Sequence, residues 1–215
     1  MRGAKTKLSV EALEYLAAHS RQDEVLAGVE RETAEMPRAM MQISPEQGAL
    51  IELLVRLAGA RDALEVGTFT GYSAICVARG LAEGGRLTCL ELDEAYADIA
   101  QRNLEAAGVA DRVAIEVGPA GASLAAMPEE PAFDFVFLDA DKTGYPAYYE
   151  LILPRMRPGA LLLIDNILMD GDVVDPEPGS SAEVMAALNE KIAADERVDA
   201  AFAMVADGLA FVRKR

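Results

Sequence analysis

Three apolar segments of the sequence each end in a carboxylate, at Glu91, Asp139 and Asp165. Such segments are typical of buried parallel strands, and ligands of parallel sheets bind at the carboxyl ends of the strands. Asp139 and Asp165, with the adjacent Asn166, offer only oxygen ligands, which suit Mg²⁺, Mn²⁺ or Ca²⁺ and argue against zinc. The sequence therefore predicts a divalent-cation site. One alternative stays open, because Asp165 and Asn166 can also cap a turn.

A second candidate site is the turn that follows the first apolar strand, residues 63–66. Gly67 and Gly71 enclose small residues there, and we expect Thr70 to cap the helix that Gly71 opens. The backbone N–H groups of such a turn suit a polar or negative ligand, although glycines after a strand are also plain turn-makers. The turn has neither G-x-G-x-x-G nor a P-loop pattern. Glu65 would repel phosphates and suits a cationic group, such as an amino acid moiety.

Two more candidates follow from their distances along the chain. Glu91 lies 26 residues after Glu65. In a β-α-β unit this spacing places an acid at the end of the neighbouring strand, where it can accept hydrogen bonds from both hydroxyls of a ribose. Lys142 lies three residues after Asp139. It is either a residue that acts on the ligand or a solvated surface lysine.

Alternating strand and helix patterns predict an α/β doubly wound sheet, mostly parallel with one antiparallel strand at its end. We expect strands at residues 63–66, 86–91, 113–117, 133–139, 160–165, 200–205 and 209–212. The last two would form a hairpin through the two-residue turn Asp207-Gly208. Residues 167–181 are predicted to be a loop. No linker or repeat divides the chain, so residues 1–215 are predicted to form one domain.

Helices are expected at residues 9–18, 22–35, 145–156 and 182–194, besides those that follow the first strands. Another begins at a predicted capping box, with Ser44 as the cap, Pro45 as the first helical residue and Gln47 completing the box. Its core-facing residues are predicted to be Leu50, Ile51, Leu53, Leu54 and Leu57.

The charge balance excludes some classes of partner. The chain has 36 acidic and 20 basic residues, a formal net charge of −16. Nucleic acids and anionic membranes bind through basic patches, so we expect no nucleic-acid and no membrane partner. No apolar run is long enough to cross a membrane, and no signal-peptide core follows the first residues, which predicts a cytoplasmic protein.

The cysteine and histidine content narrows the possible chemistry. Cys76 and Cys89 have no C-x-x-C spacing, and we interpret both as buried thiols in a reducing compartment. His19 is the only histidine, so a Ser-His-Asp triad could use no other. Its helical, polar surroundings predict a surface position.

Several segments together match a known family. The chain resembles the cation-dependent, S-adenosylmethionine-using O-methyltransferases that include caffeoyl-CoA O-methyltransferase and, more distantly, catechol O-methyltransferase. The resemblance runs from about residue 23 to residue 215 and rests on residues 41–48, 64–73, 137–145, 165–166 and 207–209. It implies a Rossmann-like class I methyltransferase fold with a seven-stranded sheet. It also implies a homodimer, in which N-terminal helices within residues 1–40 cover the acceptor site or the dimer interface.

The resemblance assigns roles by position. Contacts to the methionine part of the methyl donor are implied for Ile43, Glu65, Gly67, Thr68 and Ser73. Glu91 is similar to the acid that binds the ribose, and Ala120 to the position whose backbone meets adenine. Asp139, Asp165 and Asn166 are similar to the metal ligands, with Asp139 also among the donor-binding positions. Lys142 is similar to the proposed general base.

The implied function is metal-assisted methyl transfer from S-adenosylmethionine to one hydroxyl of a vicinal diol, with Mg²⁺ as the expected cation and Mn²⁺ or Ca²⁺ as alternatives. Met169 stands where the family usually has a tryptophan, and the loop 171–181 looks shorter than in the plant enzymes. These departures favour a small catechol-type aromatic as substrate over a caffeoyl-CoA thioester.

Three other functions stay open. The first is a metal-independent O-methyltransferase that acts on a single hydroxyl. The second is an NAD-dependent dehydrogenase, which would need the missing G-x-G-x-x-G turn. The third is a non-catalytic binding protein, which is hard to reconcile with a complete set of donor, metal and base positions.

Overall fold

The computed structural model describes residues 9–20 and 22–215. Residues 1–8 and Arg21, which belong to the predicted N-terminal cover, lie outside this part. Seven described strands form one sheet in the order β3-β2-β1-β4-β5-β7-β6. Their bounds are β1 Asp62–Val66, β2 Arg86–Glu91, β3 Val113–Val117, β4 Phe133–Leu138, β5 Met156–Asp165, β6 Val198–Ala203 and β7 Leu209–Lys214.

Eight α-helices accompany the sheet in the described residues. They are α1 Val10–His19, α2 Glu24–Ala34, α3 Pro45–Ala58, α4 Tyr72–Gly80, α5 Glu94–Ala106, α6 Ala120–Ala126, α7 Tyr145–Ile152 and α8 Ser181–Ala194. Short 3-10 helices lie at Ala39–Met41, Ala110–Arg112, Lys142–Gly144, Leu153–Arg155 and Met169–Val174. None of the helices in residues 9–20 and 22–215 combines the length and apolar character needed to cross a membrane.

The sheet has the predicted class and pairing. β1 pairs in parallel with β2 and β4, β2 with β3, and β4 with β5, whereas β7 is antiparallel to both β5 and β6. The strand order reverses direction between β1 and β4, and ligands of doubly wound sheets bind at such a point. The ligand is therefore expected at the carboxyl ends of β1 and β4.

Both faces of the central sheet are covered. Successive β4 residues Phe135, Val136, Phe137 and Leu138 are all fully buried, the two phenylalanines in one apolar cluster and the other two in a second. Burial of such a side chain stabilises the fold by roughly 1.5–3 kcal/mol. The near-continuous apolar strands of the sequence are thus explained by helices on both faces of the sheet.

The prediction that Thr70 caps the helix after the glycine turn is wrong. α4 begins at Tyr72, with Gly71 at φ 88° in the N-cap position. The hydroxyl of Thr70 accepts a 2.9 Å hydrogen bond from Thr33 of α2, and its carbonyl accepts another from Asn103 of α5. Partners from distant segments have therefore replaced the local cap, and Thr70 joins two helices to the turn.

The two hydrogen bonds of the predicted capping box at the start of α3 are not formed. Ser44 is the N-cap residue and Pro45 is the first helical residue, but the Ser44 side chain makes no capping hydrogen bond. Its hydroxyl and the Nε2 atom of Gln47 are buried without a hydrogen-bond partner. Ser44 and Pro45 thus hold the predicted positions, but the predicted side-chain caps are absent.

Leu53 and Leu57 do not face the core, contrary to the prediction. They are 51% and 74% exposed, whereas Ile51 is fully buried. The buried side of α3 contains residues 47, 48, 51 and 55, and the helical period places Leu53 and Leu57 on the opposite side. The leucine-rich segment is hydrophobic on more than one face, so composition alone could not decide which face is buried.

Several boundaries also differ from the prediction. The helix predicted to end at residue 156 ends at Ile152, and β5 starts at Met156, four residues early; Pro154 between them has no N–H to donate to a longer helix. β6 spans Val198–Ala203 where residues 200–205 were predicted, so residues 204–208 form a five-residue connection and the two-residue hairpin is wrong. The predicted loop 167–181 contains the 3-10 helix Met169–Val174.

Candidate active site

The ends of four neighbouring strands bring four of the eleven predicted site residues into one row. Across β2, β1, β4 and β5, the residues that end or follow the strands are Glu91, Gly67, Asp139 and Asp165. The Asp139 N–H donates to the Val66 carbonyl, and the Gly67 N–H donates to the Leu90 carbonyl, both at 2.9 Å. Strand pairing therefore continues just past the strand ends and fixes the spacing of this row.

Gly67 is required by the close approach of two segments. Its φ is 91°, and a Cβ atom placed on it would lie 2.0 Å from the carbonyl oxygen of Asp139. No side chain fits there, and L-residues avoid this φ. The glycine lets the turn after β1 pass directly against the backbone of Asp139, so the predicted donor turn and the predicted metal ligand are neighbours.

Glu91 organises the turn through its carboxylate. Its Oε2 atom accepts hydrogen bonds from the N–H groups of Thr68 at 3.0 Å and Phe69 at 2.7 Å, and its Oε1 atom accepts one from Asp93 at 3.0 Å. Two N–H groups that were expected to face a ligand are thus bound within the protein. A carboxylate has about four acceptor positions, so Glu91 keeps capacity for a ribose, and that role stays a prediction.

Glu65 is a fully buried carboxyl with one unpartnered oxygen. The Cys89 thiol donates to its Oε2 atom at 3.4 Å, and its Oε1 atom has no hydrogen-bond partner. Burial raises the pKa of Glu65 from 4.5 to about 8. Because an unpaired buried carboxylate is costly, the environment favours a cationic ligand group at this oxygen.

The remaining predicted donor contacts lie on several segments. Thr68 is buried in the turn with an unpartnered hydroxyl, and Ser73 is buried in the first turn of α4. Ile43 is buried just before α3, and Ala120 begins α6 after β3. Ile43 and Ala120 have apolar side chains, so no side-chain hydrogen bond ties them to the turn. Their assignment still depends on the resemblance.

Asp165 lies deep at the end of β5, next to the end of β4. The Asn166 N–H donates to its Oδ1 atom at 2.8 Å, and Asn166 itself has a φ of 56°. Burial and then the negative charge of Asp139 raise the pKa of Asp165. Asp165 ends β5, and its bond to Asn166 fits the open alternative of a turn cap, while the carboxyl also lies within the electrostatic reach of Asp139.

Lys142 is not a solvated surface lysine. Its Nζ atom donates to Asp139 Oδ1 and to the hydroxyl of Tyr145, both at 2.7 Å, and its side chain is 19% exposed. The 3-10 helix Lys142–Gly144, capped by Asp141, turns the lysine back to the end of β4. The structure thus joins the predicted base and a predicted metal ligand directly.

Sequence reasoning missed Tyr145 and Gln47. Tyr145 is fully buried and bonds Lys142; its spacing of three residues from Lys142 was the available signal. Gln47 is 1% exposed, and its side chain lowers the pKa of Asp165, although its Nε2 atom lacks a hydrogen bond of good geometry. Its only signal was an amide at a position interpreted as a cap.

The proposed metal ligands fit a hard divalent cation. Asp139 and Asp165 provide carboxylate oxygens and Asn166 an amide oxygen, the ligand types that Mg²⁺ and Ca²⁺ prefer. Lys142 places one positive charge beside two acids, so a further positive charge is accommodated. Within residues 9–20 and 22–215 no group of three or more His, Cys, Asp or Glu side chains could hold a metal. A cation here would therefore depend on the amide as its third protein ligand.

Comparison with known proteins decides the family. The model of the O-methyltransferase family matches residues 16–215. The chain belongs to this family. It is 39% identical to the catechol O-methyltransferase of Niastella koreensis over 83% of this chain and 82% of that protein. It is 31% identical to caffeoyl-CoA O-methyltransferase 2 of Zea mays over 92% and 79% of the two chains.

A solved structure supports the same assignment. The Bacillus cereus O-methyltransferase in complex with S-adenosylhomocysteine (SAH) superposes with a TM-score of 0.87 and is 37% identical, with 95% of this chain and 97% of that chain covered. SAH is what remains of S-adenosylmethionine after it has given up its methyl group. The chain is accordingly an S-adenosylmethionine-dependent O-methyltransferase with the class I fold, and the dehydrogenase and non-catalytic alternatives are wrong.

In this O-methyltransferase, Glu65 is expected to make the stability of the donor-free protein fall with rising pH. Its pKa is raised from 4.5 to about 8 on folding, so the folded state holds the proton more tightly. The stabilising contribution of Glu65 is therefore fully present below pH 4.5 and is lost as the pH rises to about 8, a loss of at most about 5 kcal/mol. Denaturant unfolding from pH 5 to 9 measures this slope.

Glu65→Gln is expected to reduce that slope to the part contributed by the raised pKa of Asp165, while Glu190→Gln, on the exposed side of α8, should leave it unchanged. Equal slopes in wild type and Glu65→Gln would show that the carboxyl is not responsible.

Proposed function

We propose that the enzyme methylates one hydroxyl of a vicinal diol, most simply a small catechol-type aromatic, and that it requires a divalent cation, with Mg²⁺ preferred over Mn²⁺ or Ca²⁺. The observation that carries this proposal is the cluster of Asp139, Asp165, Asn166 and Lys142 directly beside the turn around Gly67. Methyl transfer to an acceptor that a cation holds by two oxygens requires the cation site and the methyl-donor site to be in contact.

Asp139, Asp165 and Asn166 would hold the cation. When bound, the cation supplies Lewis-acid stabilisation of the acceptor oxyanion and an anchor for two neighbouring oxygens. Two oxygens on adjacent carbons match such an anchor, whereas a single hydroxyl does not. The preference for a diol therefore follows from the proposed cation site.

The chain's own residues orient the methyl donor. Glu65 would accept the ammonium group of its methionine part at the unpartnered Oε1 atom, with Thr68 and Ser73 as further polar contacts. Glu91 would accept the ribose hydroxyls, and Ala120 would meet the adenine. Binding that places the sulfonium methyl in line with the acceptor oxygen reduces the entropic barrier of the transfer.

Lys142 would take the proton of the acceptor hydroxyl. Its Nζ atom lies at the junction of the proposed cation site and the donor turn, 2.7 Å from Asp139. Because it is mostly buried, few water molecules compete for the proton. Transfer of the methyl group from the sulfonium sulfur to the acceptor oxygen needs no covalent intermediate with the enzyme. The tasks left to the protein are to remove the proton and to align the two substrates.

The expected acceptor is small and free. We expect turnover of a free catechol acid to exceed turnover of its CoA thioester by at least about tenfold in kcat/KM, because half-buried Met169 replaces a bulky aromatic wall and the loop 171–181 is short. Initial rates for matched pairs, such as caffeate and caffeoyl-CoA, measure this. A preference for the thioester would contradict the small-acceptor proposal and favour the caffeoyl-CoA alternative.

The second candidate function is metal-independent transfer to a single hydroxyl. It is favoured by the small number of acids, two, in the proposed cation site. The same Lys142 would then act without a cation, and a monohydroxy aromatic would serve as well as a catechol.

We also propose a homodimer of one-domain subunits in the cytoplasm, with α1 and α2 near the acceptor site or the subunit interface. Exposed apolar side chains on two helices that contact each other support the dimer. They are Val10, Leu13, Tyr15 and Leu16 of α1 and Leu53 and Leu57 of α3. Exposed apolar patches of this kind are typical of interaction sites.

A further inference from the structure

We infer that Tyr145 is a positioning residue that orients Lys142 for proton transfer. The inference depends on the proposed role of Lys142 as the base. It adds the residue that holds the amine in place.

The hydroxyl of Tyr145 uses all of its hydrogen-bonding capacity. It donates to the carbonyl of Leu138 at 3.3 Å and accepts from the N–H of Ala140 at 3.2 Å and from Lys142 Nζ at 2.7 Å. A phenol has one donor and two acceptor positions. All three are occupied, so the hydroxyl has one orientation, and it faces Lys142 as an acceptor.

The same hydroxyl connects the backbone on both sides of Asp139. Leu138 precedes this residue and Ala140 follows it, and the fully buried ring of Tyr145 is anchored in the core beneath β4. Tyr145 therefore fixes Lys142 relative to Asp139 through a rigid element, which is the arrangement that a precise site requires.

The Lys142 nitrogen can make both of these hydrogen bonds whether it is an ammonium or a neutral amine. The nitrogen donates one N–H to Asp139 and one to Tyr145. An ammonium keeps a third N–H, and a neutral amine keeps a lone pair in that position. The two fixed bonds therefore leave one position on the nitrogen for the acceptor hydroxyl, and the proton moves from that hydroxyl oxygen to the lone pair.

Tyr145 itself does not exchange the proton. Burial raises its pKa well above the ordinary value. Its proton is committed to Leu138, so the phenol acts as a fixed acceptor throughout.

The test is Tyr145→Phe, with Tyr149→Phe as the matched control. Both tyrosines are fully buried on α7, and the hydroxyl of Tyr149 donates to Asp195 at 2.9 Å, away from Lys142. Tyr145→Phe is expected to lower kcat about 10- to 100-fold with donor affinity within twofold of wild type. Tyr149→Phe is expected to keep the wild-type kcat. Equal kcat in the two variants overturns the inference.

A double-mutant cycle separates positioning from a purely structural role. In a Lys142→Ala background, Tyr145→Phe is expected to cause no further loss of kcat, because the amine it orients is gone. Losses that multiply would overturn the inference. If Lys142→Ala alone leaves kcat unchanged, both the base proposal and this inference are overturned; if it lowers kcat while Tyr145→Phe does not, only this inference is.

A readout without turnover completes the test. Trace acetylation of the donor-free enzyme, quantified by peptide mass spectrometry, is expected to label Lys142 severalfold faster in Tyr145→Phe than in Tyr149→Phe, and an unchanged rate overturns the inference. If Tyr145→Phe does not fold, 3-fluorotyrosine at position 145 keeps the ring while weakening the hydroxyl as an acceptor. The same non-additivity with Lys142→Ala is then expected, and additive losses again overturn the inference.

Discussion

Removal of divalent cations with EDTA is expected to abolish methyl transfer to catechols, with a loss of turnover of about 100-fold or more. Without a cation, the proposed ligands Asp139, Asp165 and Asn166 would offer the acceptor oxyanion no Lewis acid, and Lewis-acid stabilisation of an oxyanion is worth several kcal/mol. The measurement is methyl transfer from S-adenosylmethionine to a panel of catechols, with Mg²⁺ and with EDTA.

The matched controls are monohydroxy aromatics of the same size. They are expected to be poor acceptors under both conditions, because they cannot provide two neighbouring oxygens. Addition of excess Mg²⁺ after EDTA should restore catechol turnover. Turnover that is indifferent to EDTA, or equal for phenols and catechols, would support the metal-independent alternative and leave Asp139 and Asp165 with structural or substrate-binding roles.

Lys142→Ala is expected to lower kcat by about 10²- to 10⁴-fold, the usual contribution of a positioned general base. Donor affinity should change little, because the donor contacts proposed for Glu65 and Glu91 lie on other strands. Steady-state kinetics with equilibrium binding of S-adenosylmethionine separate the two effects.

Two further variants make the result specific. Lys191→Ala removes another lysine that is bonded to a carboxylate, 2.7 Å from Glu150, and should leave kcat unchanged. Lys142→Arg keeps the positive charge, but a guanidinium does not lose its proton in a protein. It should be as inactive as Lys142→Ala if Lys142 is the base. Recovery of activity in Lys142→Arg would reduce Lys142 to an electrostatic role.

The sequence was sufficient for the fold class and for the row of strand ends at which the candidate site lies. Apolar runs that end in Glu91, Asp139 and Asp165 are local patterns, and a parallel sheet necessarily gathers its carboxyl ends at one edge. The turn at Gly67 could also be predicted, because a tight turn after a buried strand has few alternatives to glycine. Residues separated by tens of positions could therefore be placed in one row before any contact was known.

The tertiary structure decided which partners each polar group has. Thr70 binds Thr33, 37 positions away, in place of its predicted cap. The carboxylate of Glu91 accepts hydrogen bonds from two backbone N–H groups of the turn. Leu57 faces away from the core although its type suggested otherwise. Such outcomes depend on which helix face packs and which distant donor is nearest, and neither is contained in a local pattern.

The chemistry of the site depends on the same distinction. Residue type and position predicted an acid for a cationic group at Glu65, and the family resemblance implied a base at Lys142. Only burial raises the pKa of Glu65 to about 8, and only the return of the chain after β4 brings Lys142 within 2.7 Å of both Asp139 and Tyr145. The sequence determined which groups stand at the sheet edge, whereas desolvation and contact geometry, which arise only when the segments pack, determined what those groups can do.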